Sequence, residues 1–268
     1  MSAIAAAFER ARAARRAAFV PYLTAGDPHL DVTAALVLAL ARAGADVIEL
    51  GVPFSDPIAD GPVNQAAAGR ALAAGTTLEG ILALAARLRG ATRVPLVLFT
   101  YFNPVHAYGL ARFAEHAAAS GIDGVLCVDL PPEEAKGEYL DALARHGLDP
   151  IFLLAPTSTR ERVRAVARAG RGFVYYVSRT GVTGERAELP RGLAREVAAL
   201  RRQLRLPVAV GFGISTPEQV AAVARVADGV VVGSALVRLV ADHATEPDLS
   251  ALLATLAGRM VAATRRGR

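Results

Sequence analysis

The 268 residues contain no tryptophan, one cysteine (Cys127) and one lysine (Lys136), and each shortage narrows the chemistry. A single cysteine forms no internal disulfide, so a reducing interior, the cytoplasm, is the expected location. The lysine lies in Pro132-Glu133-Glu134-Ala135-Lys136-Gly137-Glu138, which reads as the polar start of a helix. Schiff-base chemistry needs an amine held in an apolar pocket, so lysine-dependent aldolases and pyridoxal-phosphate enzymes are disfavoured. Long apolar runs are also missing. The longest uncharged stretch, Val94 to Ala111, is broken by Pro95, Asn103, Pro104, His106 and Gly109, a combination no lipid-facing helix carries. The histidines His29, His106, His116, His146 and His243 are scattered without metal-ligand spacing, and no serine–histidine pairing stands out.

The apolar fraction is 53% with turn residues spread along the chain, which excludes disorder and supplies a large core. Formal net charge is +5, yet no long cationic run exists. The arginines recur at helical spacing, as in Arg160, Arg162, Arg164 and Arg168, and read as solvated helix faces rather than a nucleic-acid footprint. Residues 1–18 resemble a transit peptide in composition, but Ile4, Phe8 and Glu9 fit a short helix belonging to the fold.

Beyond that helix the pattern alternates. Apolar runs at Phe19–Leu23, Asp46–Leu50, Val94–Thr100, Gly124–Val128, Pro150–Leu154, Gly172–Val177, Pro207–Val210 and Gly229–Val232 read as strands. Between them, Asp31–Ala43, Leu78–Arg89, Leu110–Ala119, Glu133–Arg145, Arg160–Ala169, Arg191–Gln203 and Glu218–Val226 carry helical composition and period. Strands so continuously apolar belong to a parallel sheet covered by helices. Ala43-Gly44-Ala45-Asp46-Val47-Ile48 is echoed by Ser120-Gly121-Ile122-Asp123-Gly124-Val125 and by Val226-Ala227-Asp228-Gly229-Val230. Eight units of about 33 residues give the α/β class and a single-domain (β/α)8 TIM barrel over residues 1–268, with an extra N-terminal helix. An open doubly wound sheet is the alternative, weakened by the lack of a G-x-G-x-x-G loop after the first strand.

In such a barrel the reacting groups sit at the C-terminal ends of strands. Glu49 is one residue from the end of an otherwise apolar strand, and alternation gives it the face of Val47 and Gly51. If that face is the barrel interior, burial raises its pKa and makes it a general acid–base group. The alternative is an outward glutamate paired with a helix arginine. The following loop, Gly51 to Pro62, contains three prolines and can hold Asp60 opposite Glu49. Asp56, between Ser55 and Pro57, reads as a turn former or surface contact. Glycine clusters at Gly181–Gly184, Gly211–Gly213 and Gly233 follow three late strands, and their N–H groups suit a phosphate.

At these residues the sequence resembles the tryptophan synthase alpha chain family. The likeness rests on Pro21-Tyr22-Leu23-Thr24-Ala25-Gly26-Asp27-Pro28, Glu49 through Pro62, Ser178 through Gly184 and Gly211-Phe212-Gly213-Ile214. It implies retro-aldol cleavage of indole-3-glycerol phosphate, with Glu49 carrying the proton to the ring and Asp60 accepting from the indole N–H. It further implies that Thr183 helps place Asp60, that Tyr175 supports catalysis, and that Tyr22, Phe99, Tyr101, Leu126 and Val128 pack the bicycle. Phosphate would meet the N–H groups of Gly184, Gly213, Ile214, Gly233 and Ser234. Pro53, Asp56 and Pro57 would contact a beta chain in an α2β2 heterotetramer. No metal or cofactor is implied for this chain; pyridoxal phosphate would belong to the beta partner. A stand-alone lyase, a non-catalytic allosteric barrel and another phosphate-barrel isomerase stay open at this point.

Overall fold

A computed structural model describes residues 1–177, 192–211 and 213–266. Eight parallel strands close in chain order: β1 (Ala18–Thr24), β2 (Ile48–Gly51), β3 (Leu96–Thr100), β4 (Gly124–Cys127), β5 (Asp149–Leu154), β6 (Val174–Val177), β7 (Val208–Gly211) and β8 (Gly229–Val232), with β8 pairing back to β1. This is the expected (β/α)8 barrel. The described helices are α1 (Ala3–Ala13), α2 (Leu30–Ala43), α3 (Pro62–Ala73), α4 (Leu78–Leu88), α5 (Phe102–Tyr108), α6 (Leu110–Ala119), α7 (Glu138–Arg145), α8 (Arg160–Ala169), α9 (Leu193–Gln203), α10 (Pro217–Ala224), α11 (Ser234–Asp242) and α12 (Leu249–Ala263).

The period of two along each strand divides the core into two layers. Ile48, Leu50, Leu98, Val125, Phe152, Val174, Val210 and Val230 face outward into the layer shared with the helices. Val20, Val47, Val97, Leu126, Ile151, Tyr175, Ala209 and Val231 fill the barrel, joined at one end by Ile4 and Phe8 of α1. Phe8 stacks on Phe173, just before β6, with centroids 5.3 Å apart, so α1 closes the end where the strands begin. The opposite end is left for the loops.

The repeated Gly…Asp segments turn out to be one device. Gly44 and Gly121 have φ of 100° and 78°, the left-handed region that favours glycine after a helix. Asp46, Asp123 and Asp228 then each accept the N–H near the start of the preceding strand, from Phe19, Leu96 and Val208. Each also pairs with an arginine: Arg16, Arg89 and Arg201.

One expectation needs correction. The helix anticipated over 133–145 begins only at Glu138, because Gly137 breaks the run at φ +81°; Lys136 is exposed in the turn before it. Helices α3, α5 and α12 carry no expectation from the sequence, and α12 packs along α2. No single helix among the described residues is long and apolar enough to cross a membrane.

Candidate active site

Glu49 is fixed by β2. Its neighbours in register are Tyr22 on β1 and Val97 on β3, both inward, and the glutamate shares that orientation. The residue has no solvent exposure, and neither carboxyl oxygen has a hydrogen-bond partner among the described residues. Burial alone pushes its pKa up to about 8, so it carries its proton near neutrality. Tyr22 and Tyr175 stand close by, and burial, together with the charges of Asp60 and Glu49, raises the pKa of both phenols. Space for their hydroxyls comes from glycine. A Cβ on Gly51 would lie 2.0 Å from the Tyr22 oxygen, and one on Gly211 would lie 2.3 Å from the Tyr175 oxygen.

Asp60 is held by a different route. The loop after β2 is tied down where Val52 N–H donates to the Phe99 carbonyl and Asp60 N–H donates to the Pro57 carbonyl. Tyr101, following β3, stacks with Phe54 at 5.1 Å and bridges the loop. Its hydroxyl donates to Asp60 Oδ2 at 2.8 Å and accepts from Ala59 N–H at 3.0 Å. Burial raises the Asp60 pKa, while hydrogen bonds from Tyr101 and Asn64 oppose the rise. The two carboxyl groups thus sit in unlike settings, one without a partner and one with donors, as a division of acid and electrostatic roles requires.

Both line one cavity of about 260 Å³ at the loop end of the barrel. Phe99, Val128, Leu153, Val177 and Val231 supply apolar walls, and the Phe99 ring meets Tyr22 edge-on at 5.2 Å. The far wall is Gly213, Ile214, Gly233 and Ser234. Gly233 caps α11, so the N-terminus of that helix, with the N–H of Ser234 at its first position, opens toward this end. Such a cavity can take a flat aromatic body against its walls and an anion against the helix N-terminus.

The structure therefore brings together Tyr22, Glu49, Asp60, Phe99, Val128, Tyr175, Gly213, Ile214, Gly233 and Ser234. Leu126, in register with Phe99, is buried in the barrel interior, and Tyr101 meets the site through its hydrogen bonds with Asp60 and Ala59. Thr183 and Gly184 lie outside the described residues. Asn64, Ala59, Leu153, Val177 and Val231 line the cavity without having been singled out from the sequence. Strand alternation reaches Leu153 from Ile151 and Val177 from Tyr175, whereas Asn64 needs the position of α3. On the outside, Pro53 is buried, Pro57 half-buried and Asp56 exposed. Ile58, at 81% exposure, and Leu72 border a groove there with Phe54 and Gln65. No group of three His, Cys, Asp or Glu side chains among the described residues could hold a metal ion.

The family profile of the tryptophan synthase alpha chain matches residues 8–264. The chain belongs to the tryptophan synthase alpha chain family. The alpha chain of Geobacter sulfurreducens is 57% identical over 239 residues, covering 89% of this chain and 90% of that one. The alpha chain of Opitutus terrae is 49% identical over 267 residues, covering 99% and 100%. Among solved structures, tryptophan synthase of Mycobacterium tuberculosis superposes with a TM-score of 0.91 at 39% identity, covering 99% of both chains. The alpha chain of Legionella pneumophila gives 0.90 at 38% identity, covering 98% of this chain and 97% of that one. The activity is accordingly the alpha reaction of tryptophan synthase, a lyase step in tryptophan biosynthesis.

Proposed function

We propose that the cavity runs the alpha reaction on indole-3-glycerol phosphate with two carboxyl groups and no cofactor. The observation that carries this is the Glu49 carboxyl, protonated by burial and without a protein partner in a cavity built for an aromatic anion. Glu49 gives its proton to C3 of the indole, and the positive charge falls on the ring nitrogen. Asp60, gripped by its donors, accepts the ring N–H and stabilises that charge. The carboxylate left on Glu49 takes the proton of the glycerol hydroxyl next to C3. The carbon–carbon bond then breaks, its electron pair restores the aromatic ring, and indole leaves beside glyceraldehyde 3-phosphate. Glu49 ends as it began, protonated. The ring is its own electron sink, which is why the single exposed Lys136 is no handicap.

The phosphate is assigned to the N–H groups of Gly213, Ile214, Gly233 and Ser234. Two of the exposed large hydrophobic residues, Ile58 and Leu72, flank the loop of Pro53, Asp56 and Pro57, and this surface is assigned to a beta chain, in an α2β2 assembly in the cytoplasm. Glu49→Gln tests the reading. Indole release should fall by about 10³-fold while affinity for a phosphate-bearing ligand stays within about twofold. Full activity in that variant would remove Glu49 from the chemistry.

A further inference from the structure

Asn64 is the third residue of α3, and the Gly61-Pro62 turn that starts this helix sets it beside Asp60. It is 92% buried, at 8% exposure, and lines the cavity. Its amide donates to the Asp60 carboxylate, yet its own Oδ1 is buried with no partner among the described residues. The packing nearby is apolar: Val63, Ala67 and Val237 gather against Tyr22 and Phe99. A leucine would fill this place without burying an unsatisfied acceptor, so stability alone does not account for an asparagine here. We propose that Asn64 is a positioning residue for the alpha reaction, fixing the Asp60 carboxylate together with Tyr101 in the orientation that receives the ring N–H.

This inference rests on the role given to Asp60 above. Tyr101 grips Oδ2 from the end of β3, and Asn64 approaches from α3, so two donors on different elements restrict the carboxylate. Among the described residues, the other titratable groups facing it are Tyr22 on β1, Glu49 on β2 and Tyr175 on β6, none of them cationic. Among these residues no positive charge compensates for losing the amide. Removing it should loosen Asp60 and make the carboxylate easier to protonate.

The test compares Asn64→Leu and Asn64→Asp with the unaltered full chain, measuring indole release from about pH 5 to pH 9 alongside thermal unfolding. Asn64→Leu should lower kcat about tenfold with little change in KM. The acidic limb of its profile should move to higher pH, while Tm holds or rises because the unpartnered oxygen is gone. Asn64→Asp keeps the volume but sets a second carboxyl against Asp60, so its acidic limb should lie higher still. A leucine variant with native kcat and acidic limb would overturn the inference, as would a lower Tm with the limb unmoved. If the leucine variant does not fold, an unshifted limb in Asn64→Asp overturns it equally. Asp60→Asn separates the two levels. Native activity there defeats the role of Asp60, whereas loss of activity there with unaffected Asn64 variants defeats only the inference.

Discussion

Exchanging Glu49 for glutamine removes a charge that its surroundings resist, and little else changes in shape. The carboxyl titrates near 8 in the folded chain against an ordinary value of 4.5. Between those values the folded state holds one proton more than the unfolded state. Stability from this site is therefore complete below pH 4.5 and is lost as pH rises through 8. At about 1.4 kcal/mol for each tenfold change in proton activity, integration from pH 5 to pH 8 gives a loss of about 3.5 kcal/mol. Glutamine resembles the protonated acid and has nothing to lose. The two proteins should be similarly stable near pH 5, with the variant ahead by about 3.5 kcal/mol near pH 8. In a chain of this length that corresponds to roughly 10 °C in Tm. Urea unfolding at several pH values measures the difference directly, and it should grow steadily with pH. Parallel curves would mean that Glu49 is already ionised at neutrality, and the acid proposed for the reaction would be gone. The same proton sets the alkaline limb of kcat/KM, which should descend around pH 8 in the unaltered enzyme.

Other perturbations probe the scaffold and the outer surface. Gly51→Ala puts a methyl 2.0 Å from the Tyr22 hydroxyl and must drive that ring out of place; a destabilisation of about 1–3 kcal/mol with a raised KM is expected, and native values for both would refute the close approach. Arg70→Ala strips the buried Asp27 carboxylate of bonds at 2.8 and 2.7 Å and should cost about 3 kcal/mol in urea unfolding; a change below about 1 kcal/mol would show that the pair is solvated. Ile58→Ser removes the most exposed branched side chain of the loop after β2. It should weaken binding of a beta chain about tenfold when that chain is titrated against indole release, and unchanged affinity would place the interface elsewhere.

The barrel and its principal carboxyl group were legible because a strand has period two and both faces here are buried. Once Ile48 and Leu50 face the helices, Glu49 has nowhere to point except inward. The same rule reaches Leu153 and Val177 on the cavity wall, which the resemblance does not name. Helix α3 is illegible for a physical reason. Its buried face is made of Asn64, Ala67, Ala68 and Ala71, too small and mixed to stand out from its exposed alanines. Asn64 was hidden with it. The part played by Tyr101 needs three dimensions, since its hydroxyl crosses 41 residues of sequence to reach Asp60.

Carboxylates at the two ends of the barrel are treated in opposite ways, and the contrast separates structural from chemical roles. Where the strands begin, Asp46, Asp123 and Asp228 each hold a backbone N–H and an arginine, and Asp149 accepts from the Ser2 hydroxyl. The charges of Asp46, Asp123 and Asp228 are matched by arginines, and each of the three stitches one strand to its neighbour. Where the strands end, Asp60 has donors but no cation among the described residues, and Glu49 has neither among them. Burying a carboxyl group without a partner is costly, and selection for stability alone would replace it with an apolar side chain. That replacement is open to Glu49, whose inward neighbours along β2 and β3 are Val47 and Val97. A glutamate held there against the fold's own interest supports the proposal that Glu49 keeps a proton for a reaction, and it does so without reference to any relative.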